Sequence, residues 1–168
     1  MRYVSTRGRA PALGFCDTLL AGLASDGGLY VPESWPALPE TRPGESYASV
    51  AAGVVGAFAG DELAPPLLER LCSEAYAGFR HPAVCPLVQL DAGEWLLELF
   101  HGPTLAFKDL ALQLVGRLFE HVLSERDQHI TVLVATSGDT GSAAISGLAS
   151  CSRAQPNHAP VRWFTYAL

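Results

Sequence analysis

Apolar positions along this chain follow two patterns: residues three or four apart, and short unbroken runs. Phe15, Leu19, Leu20 and Leu23 have helical spacing and predict a helix over 15–24. A second helix is predicted over 46–59, with Val50, Val54 and Phe58 on one face and Ser46 as its N-cap. A third starts at Pro65 or Pro66, since proline is tolerated in a first turn, and continues to Phe79 with Leu67, Leu71 and Ala75 as its stripe. His81-Pro82 closes it, because the residue before proline avoids the α region. Residues 3–6 predict a short strand. Asp26-Gly27-Gly28 predicts a turn, where glycine reaches positive φ cheaply, and Leu29 to Val31 then extend briefly before Pro32. Residues 33–45 read as a loop.

After Pro86 the pattern changes. Leu87 to Leu90 predicts a strand, Asp91 to Glu94 a turn, and Trp95 to Phe100 the returning strand of a hairpin. A long helix is predicted from about Thr104 to Leu123. Leu110, Leu114, Leu118 and Val122 form one apolar row on it, and Phe107, Ala111, Val115 and Phe119 the adjacent one. Ile130 to Ala135 is a continuous apolar run of the kind buried inside a parallel sheet. Thr136 to Gly141 then turns into a helix predicted over 142–150, completing a strand–turn–helix unit. Arg153 to Pro160 is a polar loop, and Val161 to Tyr166 predicts one more strand. The expected fold class is α/β: a mainly helical N-terminal domain over 1–85, then the first part of an open, mostly parallel sheet over 86–168. A parallel sheet of so few strands has an exposed edge, so further chain or a partner is expected to cover it.

Composition narrows the function. With 168 residues, 49% apolar and 17% charged, the chain is long and apolar enough to bury a core. A net charge of −6 and the lack of a basic run argue against nucleic acid and anionic membrane surfaces. No run reaches the roughly 18 apolar residues of a spanning helix, and the first residues lack the apolar stretch of a signal peptide. Cys16, Cys72, Cys85 and Cys151 are scattered and read as reduced packing thiols of a cytoplasmic protein.

Two segments carry candidate chemistry. The turn Thr136-Ser137-Gly138-Asp139-Thr140-Gly141, between a buried strand and a helix N-terminus, leaves backbone N–H groups free for an anion, with the helix dipole behind them. Ser137, Thr140 and Ser142 add hydroxyls. A carboxylate or phosphate suits it, and a plain βα turn is the alternative. The segment matches neither G-x-G-x-x-G nor a P-loop, which disfavours dinucleotides and ATP. The second segment is Leu99 to Asp109, which holds Lys108, the only lysine among 11 basic residues. The start of a helix and the apolar neighbours Leu105 and Phe107 disfavour an ammonium and favour a nucleophilic amine, with Asp109 acting in the opposite sense. A lysine that snorkels from a core is the competing reading. An amine and an anion cradle together suggest pyridoxal phosphate chemistry, in which the protein orients an electron-sink cofactor.

Four stretches, in order, resemble the N-terminal portion of the threonine synthase family. They are Tyr3-Val4-Ser5-Thr6-Arg7-Gly8, Asp26 to Pro32, Glu98 to Asp109 and Ala135 to Ala144. The resemblance implies a pyridoxal-phosphate enzyme of the tryptophan-synthase-β-like kind, fold type II. It implies that Lys108 binds the cofactor and that Thr136, Ser137, Gly138, Thr140 and Gly141 hold the substrate carboxylate, with Asp139 near the cofactor ring. No metal is implied. The implied reaction converts O-phospho-L-homoserine and water to L-threonine and phosphate. The family's loop for the cofactor phosphate lies downstream, so this chain reads as a truncated member with little activity alone. Its expected partners are a phosphorylated amino acid and either the missing C-terminal half or further copies of itself. A related phospholyase and a non-catalytic, partner-binding module are the alternatives.

Overall fold

The structure, a computed structural model, describes residues 1–130, 132–136, 138–149 and 163–167. The chain divides into two compact units, Met1–Cys72 and Ser73–Leu168. The predicted elements are present, with ends that shift where side chains intervene.

In the first unit, β1 (Tyr3–Ser5) pairs antiparallel with β2 (Tyr30–Pro32), Tyr3 opposite Pro32 and Ser5 opposite Tyr30. The Asp-Gly-Gly turn precedes β2, with Gly27 at φ 79°. Helix α1 (Phe15–Ala21) ends earlier than the spacing predicts, since Gly22 takes a positive φ of 65° and leaves Leu23 exposed. Helix α2 (Tyr47–Ala59) is capped as predicted: Ser46 Oγ accepts the Ser49 N–H at 3.1 Å. Its buried positions are Ala52 and Ala59, while Val50, Val54 and Phe58 are half-buried. The helix is apolar nearly all round, so its sequence marks no inner face. Helix α3 (Pro65–Tyr76), which runs past the division after Cys72, buries the predicted Leu71 and Ala75 together with Leu68, Cys72 and Tyr76, while the predicted Leu67 is half-buried.

In the second unit, β3 (Leu87–Asp91) and β4 (Glu94–Leu97) form the predicted antiparallel hairpin, with an irregularity between Gln89 and Asp91. Leu99 and Phe100 lie beyond β4. Helix α4 runs from Asp109 to Glu125, starting five residues later than the apolar spacing predicts. Its row Leu114, Leu118 and Val122 is buried as expected. The second predicted row is not: Phe107 and Ala111 are exposed, and the buried face turns instead through Gln113 and Gly116. Strand β5 (Val132–Thr136) lies parallel to β6 (Trp163–Ala167), Val132 opposite Trp163. Helix α5 (Asp139–Ala149) starts inside the segment predicted as loop. The observed class is thus mixed α/β, with three two-stranded sheets among the described residues. No helix among those residues is long and apolar enough to cross a membrane.

Candidate functional site

Lys108 occupies the N-cap position of α4. The preceding chain is tightly folded: Leu105 N–H donates to Gly102 O at 3.2 Å, and Leu105 itself sits at φ 67°. That conformation is costly for a branched side chain and persists only where the surroundings impose it. Asp109 imposes it. Its carboxylate is fully buried, and its two oxygens accept the Thr104 N–H at 2.8 Å and the Thr104 hydroxyl at 2.9 Å. Gly102 packs against it so closely that a Cβ there would lie 2.5 Å from the Asp109 Cβ. This clasp explains the late helix start.

The clasp also changes the electrostatic reading of Lys108. Asp109 is engaged with Thr104 rather than offered to the amine. The Lys108 Nζ instead stands 4.2 Å from the centroid of the Phe107 ring. A ring face attracts a cation, a contact that the apolar character of Phe107 alone does not suggest. The Lys108 side chain is half-buried, between core and solvent.

Upstream in the same stretch, His101 Nε2 lies 2.7 Å from Glu98 Oε2, a pair that is mostly buried. The His101 carbonyl accepts the Arg80 N–H at 2.8 Å. The His81 ring stands 5.1 Å from the His101 ring, and its Nδ1 accepts the Ala83 N–H at 3.1 Å. Sequence reading did not single out these groups. The Glu-x-x-His spacing was the available signal.

The anion cradle is narrower than its sequence predicts. Thr136 Oγ1 accepts the N–H of Gly138 at 3.2 Å and of Gly141 at 3.3 Å. The Ser142 hydroxyl donates inward, to Gly138 O at 3.3 Å and Asp139 O at 3.0 Å. Among the described residues, the donors left for a guest are the Thr140 hydroxyl and the amides of Asp139 and Thr140, at the start of α5, where no helical acceptor precedes them. Gly138 and Asp139 are exposed and Thr140 is half-buried. Ser137 lies outside the described residues.

The two segments are joined through their helices. Gly116 of α4 and Gly147 of α5 meet in close contact, and Gln113 Nε2 donates to Ser146 Oγ at 3.1 Å beside them. A Cβ on Gly116 would strike the Gly147 carbonyl oxygen, and one on Gly147 would strike that of Leu112. Each glycine lies about two turns from the N-terminus of its helix, one carrying Lys108 and the other the cradle.

An α/β chain with a lone amine at one helix start and a donor cradle at another fits a group that offers both a carbonyl carbon and an anion. Comparison with known proteins agrees in class. Residues 2–76 match the family described as "Threonine synthase N terminus". The chain is 56% identical over 155 residues to the threonine synthase of Pseudomonas aeruginosa, covering 90% of this chain and 33% of that protein. It is 46% identical over 160 residues to the threonine synthase of Schizosaccharomyces pombe, covering 87% of this chain and 31% of that one. A solved structure of PLP-bound threonine synthase from Brucella melitensis superposes with a TM-score of 0.82 at 55% identity, over 88% of this chain and 33% of that one. This chain is thus related to the threonine synthase family and matches its N-terminal portion. It spans about a third of the length of the relatives it matches.

Proposed function

We propose that this chain carries the cofactor-attachment part of a threonine synthase, a PLP-dependent carbon–oxygen lyase that converts O-phospho-L-homoserine and water to L-threonine and phosphate. The observation that carries this reading is the setting of Lys108: a lone lysine amine at a helix start, with the adjacent carboxylate turned onto Thr104. The similarity to a PLP-bound relative supports it. In this reading residues 1–85 are the N-terminal domain and 86–168 begin the catalytic one, of fold type II.

Bound pyridoxal phosphate supplies an electron sink for charge developing on the substrate carbons. Lys108 holds the cofactor through its amine. With cofactor and substrate bound, the freed Lys108 amine would take protons from the α and β carbons as phosphate leaves the γ carbon; protons would return to the γ and α carbons, and water would supply the hydroxyl at the β carbon. The amides of Asp139 and Thr140, with the hydroxyl of Thr140 and the turn Thr136-Ser137-Gly138 and Gly141, hold the substrate carboxylate. Asp139 would lie beside the cofactor ring.

The 168 residues on their own are expected to show little turnover, because groups misplaced by about 1 Å already cost on the order of 100-fold in rate. Mixing the purified chain with pyridoxal phosphate tests the attachment. A visible absorption band is expected, and it should vanish in Lys108→Ala. No band in the wild type, or an unchanged band in the variant, overturns the reading in favour of a non-catalytic module. Product analysis on a full-length protein that carries these residues then tests the substrate. Threonine and phosphate from phosphohomoserine support it, and turnover only of another phosphorylated amino acid redirects it to a related phospholyase.

A further inference from the structure

We infer that Asp109 is a positioning residue for the Lys108 amine, acting through Thr104 rather than by its charge on the lysine. The inference rests on the reading of Lys108 as the attachment point.

Asp109 is a wholly buried carboxylate at the first position of the 17-residue helix α4. Burying an ionised carboxylate is expensive unless its oxygens are bonded. Here both oxygens are used by one residue, Thr104, five positions earlier, through its backbone N–H and its hydroxyl. The positive end of the α4 dipole adds to the compensation. The result is a closed ring of chain from Thr104 to Asp109. Inside it, Leu105 is forced to φ 67° and the Ala106 carbonyl accepts the Asp109 N–H at 3.0 Å. Lys108 is the last residue of that ring. Its backbone is fixed at φ −67° and ψ −15° as the helix N-cap, so the direction in which its side chain leaves the helix follows from the clasp. Upstream, the ring is held by the Arg80 N–H bond to the His101 carbonyl.

The chemistry of the clasp is specific. A carboxylate accepts two donors at once. An asparagine can keep both bonds, its oxygen accepting the Thr104 N–H and its amide donating to the Thr104 hydroxyl oxygen, which accepts as well as donates. Asp109→Asn therefore keeps the clasp without the charge, whereas Asp109→Ala removes both acceptors and breaks it. Thr104→Ala removes the hydroxyl bond and keeps the backbone one. Thr104→Ser restores the hydroxyl.

The test is reductive trapping on the 168-residue chain. The amine and the pyridoxal phosphate aldehyde condense with loss of one water, and borohydride delivers a hydride to give a stable secondary amine. The site is located by peptide mass. The Met1 α-amino group is an internal reference, so the readout is the Lys108-to-Met1 rate ratio. That ratio reports the presentation of one amine and is not lowered by a general loss of stability. Asp109→Ala is expected to lower it about tenfold, consistent with the steep dependence of rate on placement, and Asp109→Asn to leave it within about twofold of wild type. Thr104→Ala should lower it several-fold, with Thr104→Ser within about twofold of wild type. An unchanged ratio in a natively folded Asp109→Ala overturns the role, and a loss of about tenfold in Asp109→Asn assigns it to charge rather than to the clasp. If Asp109→Ala fails to fold, Thr104→Ala decides, and a wild-type ratio there overturns it. Absence of trapping at Lys108 in the wild type removes the attachment reading itself, and the positioning role falls with it.

Discussion

Gly116 and Gly147 face each other across the α4–α5 crossing at a distance that leaves no room for a methyl group on either. Helix axes approach this closely only where small residues meet, so this contact brings the two helices together beside the Gln113–Ser146 hydrogen bond. Alanine at either position gains up to about 1 kcal/mol of helix propensity and incurs about 1–3 kcal/mol of overpacking, because the atom it meets is backbone. Overpacking should prevail. Gly116→Ala and Gly147→Ala are expected to lower the urea midpoint, whereas Gly78→Ala, with open space around it, should not. Midpoints of the first two at or above wild type would show that the helices can move apart without loss.

Helix α1 borrows its cap from a residue far along the chain. The Glu62 carboxylate accepts the N–H of Phe15 at 2.7 Å and of Cys16 at 3.0 Å, where the N-cap residue Gly14 has no side chain to offer. Glu62→Ala should cost about 1 kcal/mol, the usual loss for a helix cap, and Glu62→Gln less, since one acceptor remains. Chemical denaturation reads both, and a wild-type midpoint for Glu62→Ala would show that solvent caps α1 equally well.

Asp26 is expected to make the first unit acid-sensitive. The Ser5 hydroxyl, then the N–H groups of Gly28, Arg9 and Ala10, hold its carboxyl well below the usual carboxylate range. A folded-state pKa below the unfolded one contributes stability that is complete above about pH 4 and is lost as pH falls through the folded value. Asp26→Asn should therefore be less stable than wild type at pH 7, with the gap closing below about pH 4. A gap that is constant with pH would assign the difference to geometry rather than to charge.

Thiol reactivity should follow burial. Cys72 is fully buried, and desolvation, with the Glu69 charge nearby, pushes its thiol up to about 11. Cys16 is also buried, and Cys85 is half-buried. A short iodoacetamide pulse on the native chain should modify Cys85 before Cys16 and Cys72, as read by peptide mapping. Equal labelling of Cys72 would mean that α3 opens locally.

These contacts mark what a sequence can and cannot reveal. The cap of α2 was readable because Ser46 and Ser49 are three residues apart and a cap is a local event. The cap of α1 was not, because Glu62 and Phe15 are 47 residues apart and only the fold joins them. Lys108 stood out as a lone residue type, and its segment was found. In sequence its neighbour Asp109 is a charge beside an amine, since adjacency shows proximity but not where a side chain turns. The same limit displaced the α4 start: Thr104 to Lys108 have the spacing of a helix, and a side-chain bond from Asp109 holds them out of it. The sequence places the start of α5 late because Asp139, Thr140 and Gly141 read as turn residues, yet Asp139 and Thr140 suit a first helical turn equally well.

The Thr136 side chain settles what the cradle would ask of a guest. Its hydroxyl oxygen accepts two amides of the turn, and its methyl lies where a Cβ on Gly141 would fall, 2.5 Å away. The loop is therefore braced by its own chain. The entropy of fixing its backbone is lost at folding, and an anion arriving at Asp139 and Thr140 meets donors already aimed. Such a site gives up breadth of capture for readiness: the two described amides make a small target, but one that has no rearrangement to wait for.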